Sequence, residues 1–203
     1  MQDELLIRRA QRGDADAFEQ LLLEHQKNVY NLCYRMAGNP DDAMDLSQET
    51  FLRAWRCLDQ YQFASAFSTW LYRLCSNICI DFLRRRRRQQ TVPLTFEDAD
   101  GEEQTYAVPD AQPLPEEQVE LKLTRETLAA AMAQLLPEHR AVLQLRVVNE
   151  MSYEQIADVL DIQIGTVKSR LSRARNQLKK ILERGNLSRR TSSECMEGEV
   201  AAK

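Results

Sequence analysis

Residues 153–178 read YEQIADVLDIQIGTVKSRLSRARNQL, two amphipathic segments separated by a tight turn at Leu160-Asp161-Ile162. Two short helices joined in this way are typical of a helix-turn-helix. Ser152 and Gln155 can form a capping box at the start of the first helix, and Ala157 is small, as the crossing of the two helices requires. The predicted core comprises six apolar residues: Ile156, Val159, Leu160, Ile162, Val167 and Leu171.

The second helix of this motif, predicted from about Gly165 to Glu183, is strongly basic. Between Thr166 and Arg184 there are seven Lys or Arg residues and one acidic residue. This charge suits insertion of the helix into a DNA major groove, N-terminal end first. Its Arg and Lys side chains can reach phosphates or guanine edges there. A structural helix with a solvated basic face is the alternative.

The N-terminal part of the chain also has a helical pattern. Apolar residues from Phe18 to Met36 recur at a helical period, and Gly38 is placed to end that helix. Asn39 and Pro40 suit the start of the next helix. A further helix, predicted from Ser68, runs into five consecutive arginines, Arg84 to Arg88. A basic helix with interleaved aromatic residues suits DNA, although a core role for Trp70 and a solvated helix end are open alternatives.

A segment of opposite charge follows the arginines. From Thr91 to Gln118 there is no Lys or Arg, while there are eight Asp or Glu and four of the six prolines. These features favour an extended, flexible linker. Helical patterns return near Val119, and no strand pattern is convincing. The predicted fold is therefore all-α, with two small helical domains (1–91 and 118–184), an acidic linker (92–117) and a disordered tail (185–203).

Composition excludes several classes of function. The net charge is −4, no apolar run is long enough for a membrane span, and the N-terminus lacks a signal-peptide core. We therefore expect a cytoplasmic protein. No Gly-rich phosphate loop or catalytic histidine context is present, so an enzyme is not expected.

The five cysteines, at positions 33, 57, 75, 79 and 195, lack metal-finger spacing with the two histidines. Cys75 and Cys79, four residues apart on one helix face, could form a ligand pair. Small apolar core residues in a reducing compartment are the favoured interpretation, with redox sensing as an alternative. No metal and no cofactor are predicted.

Three stretches in order carry a resemblance to a known family: DDAMDLSQETFLRAWRCLDQY (41–61), FSTWLYRLCSN (67–77) and LPEHRAVLQLRVVNEMSYEQIADVLDIQIGTVKSRLSRAR (136–175). They resemble a bacterial RNA polymerase sigma factor of the extracytoplasmic-function group, over about residues 1–184. The resemblance implies a protein that binds core RNA polymerase and directs promoter-specific initiation. Its first domain would read and help melt the −10 element, and its second would read the −35 element. A conventional helix-turn-helix regulator remains the alternative.

The resemblance also implies residue roles. The segment around DLSQETF is similar to the helix that docks on a coiled coil of the beta-prime subunit. The loop from Tyr61 to Ser68 is similar to one that captures a flipped-out −10 base. In this loop, QFASAF replaces the usual Gly-containing version. Gln163 stands where a proline is frequent. The implied polymerase contacts are Asp45, Gln48, Glu49 and Phe51, the last at a variable position. The implied −10 contacts are Phe63, Trp70, Asn77, Arg84, Arg85, Arg86, Arg87 and Arg88, and the −35 contacts are Thr166, Lys168, Ser169, Arg170, Ser172, Arg173 and Arg175.

Partners follow from the same resemblance. They are core RNA polymerase, through its beta-prime and beta subunits, promoter DNA, and a membrane-associated anti-sigma factor. The acidic linker resembles a strand threaded into the polymerase cleft, where its carboxylates can imitate RNA. A linker that only aids solubility is the alternative.

Overall fold

The computed structural model describes residues 2–91 and 126–200, and side chains within residues 4–89 and 126–184. The helices are α1 (Gln2–Ala10), α2 (Ala15–Ala37), α3 (Pro40–Cys57), α4 (Phe67–Thr91), α5 (126–133), α6 (Pro137–Leu143), α7 (Tyr153–Leu160) and α8 (Ile164–Val200); a 3₁₀ turn (Leu58–Gln60) follows α3 and a π-helical turn (Gln144–Val148) follows α6. No strand occurs in these described ranges, and the all-α prediction is confirmed. The predicted linker, 92–117, lies outside the described residues.

The first module comprises α1 to α4, and its helix ends follow the local sequence. Gly38 caps α2 with φ 90°, a left-handed conformation that suits glycine. The Asn39 side chain then accepts a hydrogen bond of 2.8 Å from the Asp42 amide, and Pro40 is the first residue of α3. These ends confirm the predicted boundary and fix the direction in which α3 leaves the core.

The second module contains the predicted helix-turn-helix, formed by α7 and α8. The capping box between Ser152 and Gln155 is present in both directions. Asp161, with φ 53°, ends α7 in the left-handed conformation, and the Ile162 amide donates to the Ala157 carbonyl across the turn at 3.1 Å. The predicted core is confirmed, with four of its members buried and Leu160 and Ile162 packed against them; the buried members are Ile156, Val159, Val167 and Leu171.

The two modules pack directly on each other, which the sequence pattern did not predict. Helix α4 of the first module contacts α6 and α7, and α2 contacts α6. Arg140, on α6, is 95% buried and donates one hydrogen bond to the Met132 carbonyl at 2.8 Å and another to the Met36 carbonyl of the first module. Arg73 donates to the Asp158 carbonyl across the same junction. The modules therefore share one continuous core. We call this packing of the two modules against each other the closed arrangement.

Helix α8 runs to Val200 and so enters the segment 185–203, for which the sequence predicts disorder. No proline follows Pro137, so every residue of this segment keeps the backbone amide that a helix needs. In the described ranges, no helix combines the length and the apolar character needed to cross a membrane.

Candidate nucleic-acid interface

Helix α8 presents the predicted DNA-reading residues on its outer side. Its inner side carries Val167, Leu171 and Ala174, which are buried in the module core. The outer residues divide into two half-buried side chains, Thr166 and Arg170, and five exposed ones: Lys168, Ser169, Ser172, Arg173 and Arg175. The Ser169 hydroxyl donates to the Thr166 carbonyl at 3.0 Å. The structure thus brings all seven predicted −35 residues onto one accessible surface of a helix whose opposite side is fixed by packing.

A cluster of four aromatic rings lies at the start of α4. Tyr61 contacts Phe63, Phe67 and Trp70 at ring-centroid distances of 4.9, 5.7 and 5.4 Å. Tyr61 and Phe67 are buried, whereas Phe63 and Trp70 are half-buried. Phe63 has φ 59°, an unusual backbone conformation for a bulky residue. The two predicted −10 aromatics therefore rest on a rigid aromatic base while keeping accessible surface.

Helix α1 and Gln11, the residue that follows it, hold this aromatic loop in place. Gln11 donates from its side-chain amide to the carbonyls of Leu58 and Tyr61, both at 3.0 Å. The Arg8 guanidinium lies 4.7 Å from the Phe63 ring centroid, within the range of a cation–π contact. The Tyr61 hydroxyl donates to the Ser65 carbonyl at 2.6 Å and closes the loop. Sequence reasoning missed these supporting residues because they carry no motif and meet the loop only through tertiary packing.

The arginine run is exposed along its whole length, but its members have different surroundings. Arg84 pairs with Glu138 of the second module, with its Nε 2.8 Å from the carboxylate. Arg86 pairs with Asp42 of α3 at 2.8 Å. Asn77, one predicted −10 residue, is exposed on the same helix. Part of the predicted DNA surface is therefore engaged by carboxylates in the closed arrangement.

Glu138 lies where the two predicted DNA surfaces approach each other. Burial alone would raise the pKa of Glu138, but hydrogen bonds from its own backbone amide and from Arg84, together with the charges of Arg84 and Arg170, lower that pKa below its ordinary value. Arg84 belongs to the predicted −10 surface and Arg170 to the predicted −35 surface. Glu138 is therefore hydrogen-bonded to an arginine of the first surface and is close enough to an arginine of the second for their charges to interact.

Helix α3 presents the predicted polymerase contacts. Asp45, Gln48 and Glu49 are exposed on one face, but Phe51 is half-buried and packs against the core. Three large apolar side chains are also exposed on this helix: Met44, Leu52 and Trp55, at 51, 52 and 38%. Met44 and Leu52 were not among the predicted contacts, although both lie outside the buried face of α3. Such a mixed polar and apolar surface is suited to binding a protein.

Comparisons with known proteins match both modules. Sigma-70 region 2 matches residues 21–89, and Sigma-70, region 4 matches residues 125–178. The chain is 33% identical over 176 residues to "ECF RNA polymerase sigma factor SigW" of Bacillus subtilis (strain 168), covering 87% of this chain and 94% of that protein. The chain belongs to the sigma-70 family, in its extracytoplasmic-function (ECF) group. A second relative, "RNA polymerase sigma-H factor" of Pseudomonas aeruginosa, is 37% identical over 183 residues and covers 90% of this chain and 94% of its own.

Two solved structures resemble the fold of this sigma factor. CnrH in complex with the cytosolic domain of CnrY aligns with a TM-score of 0.63 at 26% identity, covering 90% of this chain and 98% of that chain. The sigma factor RpoE, in complex with the anti-sigma factor NepR from Bartonella quintana, aligns with a TM-score of 0.57 at 27% identity, covering 82% and 96%. This ECF sigma factor is thus a transcription initiation factor whose two modules correspond to the promoter-recognition regions 2 and 4.

Proposed function

We propose that this sigma factor binds core RNA polymerase through the exposed face of α3 and reads two promoter elements with α4 and α8. One observation carries the proposal: two exposed basic helices lie on separate modules, and α3 of the first module adds an exposed face with both apolar and polar side chains. Two DNA-reading surfaces and one protein-binding surface are what a polymerase specificity subunit requires. Core polymerase and DNA place its site of action in the cytoplasm.

The −10 element is read by the aromatic loop and α4. Phe63 and Trp70 offer partly accessible rings on which an unstacked base can stack, a contact that contributes about 1–3 kcal/mol per base. Arg84 to Arg88 continue along the same helix and can hold the backbone of the opened strand. Asn77 supplies an amide for hydrogen bonding to a base edge. Capture of extruded bases offsets the few kcal/mol needed to unstack each of them.

The −35 element is read by α8 in the major groove. Lys168, Ser169, Ser172 and Arg173 are placed to face base edges, and Arg170 and Arg175 to contact phosphates. Because α8 packs through Val167, Leu171 and Ala174, the orientation of these side chains is fixed by the module core. The second module therefore requires no rearrangement of its own helices to enter the groove.

Promoter binding opens the closed arrangement of the modules. Glu138 attracts Arg84 and Arg170, so both DNA surfaces share one internal carboxylate. DNA phosphates take over these arginines when polymerase holds the modules on separate promoter elements. Without polymerase, the closed arrangement keeps these arginines close to Glu138, so the free sigma factor binds DNA weakly. A conventional helix-turn-helix regulator would instead bind duplex DNA tightly without polymerase.

The acidic linker has a separate partner. Its eight carboxylates without a basic residue suit a polymerase channel that holds RNA. Replacing Glu97, Asp98, Asp100, Glu102 and Glu103 with neutral amides should leave −10 and −35 binding unchanged. The same change should alter promoter escape, measured as the ratio of abortive to full-length transcripts. An unchanged ratio would indicate that the linker acts only as a spacer between the two modules.

An anti-sigma factor controls this protein in our proposal, as the partner in the RpoE–NepR complex suggests. An apolar cleft of about 370 Å³ lies between the modules. Its exposed side chains include Tyr34 at 46%, Leu128 at 44% and Val147 at 62%. Co-purification from unstressed cells, followed by mass spectrometry, should recover a bound protein with the wild type, and Val147→Asp should reduce that recovery. Recovery of the free sigma factor alone would count against this control.

Transcription with purified core polymerase and a promoter library tests the central proposal. Adding the wild type should select a distinct set of promoters. Replacing Gln48 and Leu52 together with alanine should abolish this selection while leaving binding to a −35 duplex unchanged, because both side chains are exposed on α3 and far from α8 in sequence and packing. The matched control is Gln26→Ala, an exposed glutamine on α2. Absence of promoter selection by the wild type, or tight duplex binding without polymerase, would refute the proposal.

A further inference from the structure

Three cysteines from two helices converge in the core of the first module. The Cys33 sulfur, on α2, lies 3.4 Å from that of Cys75 and 3.8 Å from that of Cys79, both on α4. All three sulfurs lie within 4.8 Å of one another, and all three residues have 0% exposure. Cys75 and Cys79 share a face because residues four apart meet on a helix. Packing of α2 on α4 supplies the third sulfur, which the sequence alone could not place beside them.

The spacing of the sulfurs matches a metal–thiolate centre. With a metal–sulfur distance of about 2.3 Å, three sulfurs around one ion lie about 4.0 Å apart if trigonal planar and about 3.8 Å apart if tetrahedral. The Cys33–Cys75 and Cys33–Cys79 separations, 3.4 and 3.8 Å, need to increase by at most about 0.6 Å to reach these values. Thiolates select soft cations such as Cu(I), Zn(II) and iron–sulfur clusters.

We propose that Cys33, Cys75 and Cys79 form a binding site for one Cu(I) ion. Among the described residues, this group contains three sulfur ligands and no fourth His, Cys or carboxylate. Three sulfurs complete a trigonal Cu(I) site, whereas structural Zn(II) sites take four ligands. Binding replaces the thiol protons: one ion enters and up to three protons leave, without any change of oxidation state.

The site would join α2 to α4 inside the module that carries the −10 surface. In the sequence, Asn77 lies midway between Cys75 and Cys79. Trp70 and Arg84 lie on the same helix, α4. Bound metal therefore links these residues to α2 and raises the stability of the first module by mass action. Metal binding itself does not depend on the proposed promoter reading, so its test stands separately. Because the sulfurs are buried, loading requires local opening and is expected to be slow.

Copper titration of the purified, reduced full-length protein tests the site. Under anaerobic conditions, Cu(I) competes between the protein and bicinchoninate, a colorimetric Cu(I) chelator. The wild type should take up one equivalent per chain. Because the three sulfurs are buried even without metal, alkylation rates are compared by mass spectrometry between metal-free and Cu(I)-loaded protein, and Cu(I) should slow the modification of Cys33, Cys75 and Cys79 only. A parallel titration with Zn(II), against a zinc indicator, distinguishes the two ions: weaker or absent Zn(II) uptake supports the trigonal assignment, and exclusive Zn(II) uptake overturns it.

Cysteine variants supply the matched controls. Cys33→Ala, Cys75→Ala and Cys79→Ala should each reduce Cu(I) affinity at least ten-fold, with helical circular dichroism confirming folding. Cys57→Ala, at a half-buried cysteine outside the cluster, should retain one equivalent. The difference in alkylation rate between the metal-free and the Cu(I)-loaded wild type decides the matter even where a variant fails to fold. Absence of Cu(I) uptake, protection of Cys57 or Cys195 instead, or a Cys33–Cys75 disulfide in the reduced preparation would overturn the proposal.

Discussion

Replacing Glu138 with glutamine should release Arg84 and raise the affinity of the free sigma factor for single-stranded −10 DNA. Glutamine has nearly the same shape as glutamate but carries no charge, so it removes the attraction and keeps the packing. In the closed arrangement the Arg84 Nε lies 2.8 Å from the Glu138 carboxylate. A protein whose binding-competent form is only partly populated has its apparent affinity reduced by that fraction. Weakening the closed form therefore increases DNA binding.

The size of the effect follows from the exposure of the pair. The Arg84 side chain is 51% exposed and that of Glu138 is 22% exposed. Water therefore screens the pair, and the range for exposed ion pairs applies, about 0.2–1 kcal/mol, rather than the larger losses seen on breaking buried pairs. This corresponds to a gain in affinity of about 1.4- to 5-fold. Arg170 is also attracted to Glu138, so removing the carboxylate charge weakens a second interaction, and the expected gain in affinity is toward the upper end of this range.

Fluorescence anisotropy with a labelled single-stranded −10 oligonucleotide measures this gain, at one fixed salt concentration because binding to DNA depends on salt. Glu126→Gln is the matched control: it changes the net charge equally at an exposed glutamate of the same module. Repeating Glu138→Gln in an Arg84→Ala background completes a double-mutant cycle. Most of the gain should disappear in that background.

Three outcomes would refute this reasoning. Glu138→Gln could bind no more tightly than the wild type, Glu126→Gln could give the same gain, or the gain could persist without Arg84.

The pH dependence of the gain supplies a further check. The folded protein lowers the pKa of Glu138 below its ordinary value of 4.5, so the carboxylate contributes fully above that value and loses its contribution only as the pH falls below it. The ratio between variant and wild type should therefore stay constant from pH 7 to about pH 5.5.

Three further predictions concern the second module. Arg175→Gln should reduce the slope of log affinity against log salt for a −35 duplex by about 0.9, because one phosphate contact is lost; an equal change with Arg53→Gln on α3 would contradict the assignment. Ser152→Ala should lower the free energy of unfolding by about 1 kcal/mol in urea denaturation, since it removes the α7 cap, and an unchanged midpoint would show that the capping box is dispensable. Ile156→Ala should destabilise by about 2–5 kcal/mol because Ile156 has 0% exposure, whereas Ile164→Ala, at a residue with 39% exposure, should have a much smaller effect; similar losses would contradict the core assignment.

Local sequence was sufficient for the features that depend on neighbouring residues. The capping box at Ser152, the left-handed stop at Gly38 and the start of α3 at Asn39 are all confirmed. Each is set by hydrogen bonds or backbone preferences within a few residues, which the sequence displays directly.

The candidate surfaces were predicted less evenly. The seven residues predicted to read the −35 element lie on the outer side of α8, as the period of its apolar line required. On α3 the same kind of reasoning was incomplete: Phe51 packs against the core, while Met44 and Leu52 are exposed. The apolar stripe shows which side of a helix faces inward, but a residue at its margin is placed by the neighbouring helices.

The sequence by itself determined the all-α class, the helix-turn-helix, the charge of its DNA-reading helix and the family. These properties follow from helical periodicity, capping residues and charge order, which act over short distances along the chain. Only the tertiary structure decided that Glu138 reaches Arg84, that Arg140 joins the modules through the Met36 carbonyl, and that Cys33 meets Cys75 and Cys79. The residues of these contacts are 42 to 104 positions apart, so their proximity depends on how the helices pack, and no local pattern encodes it.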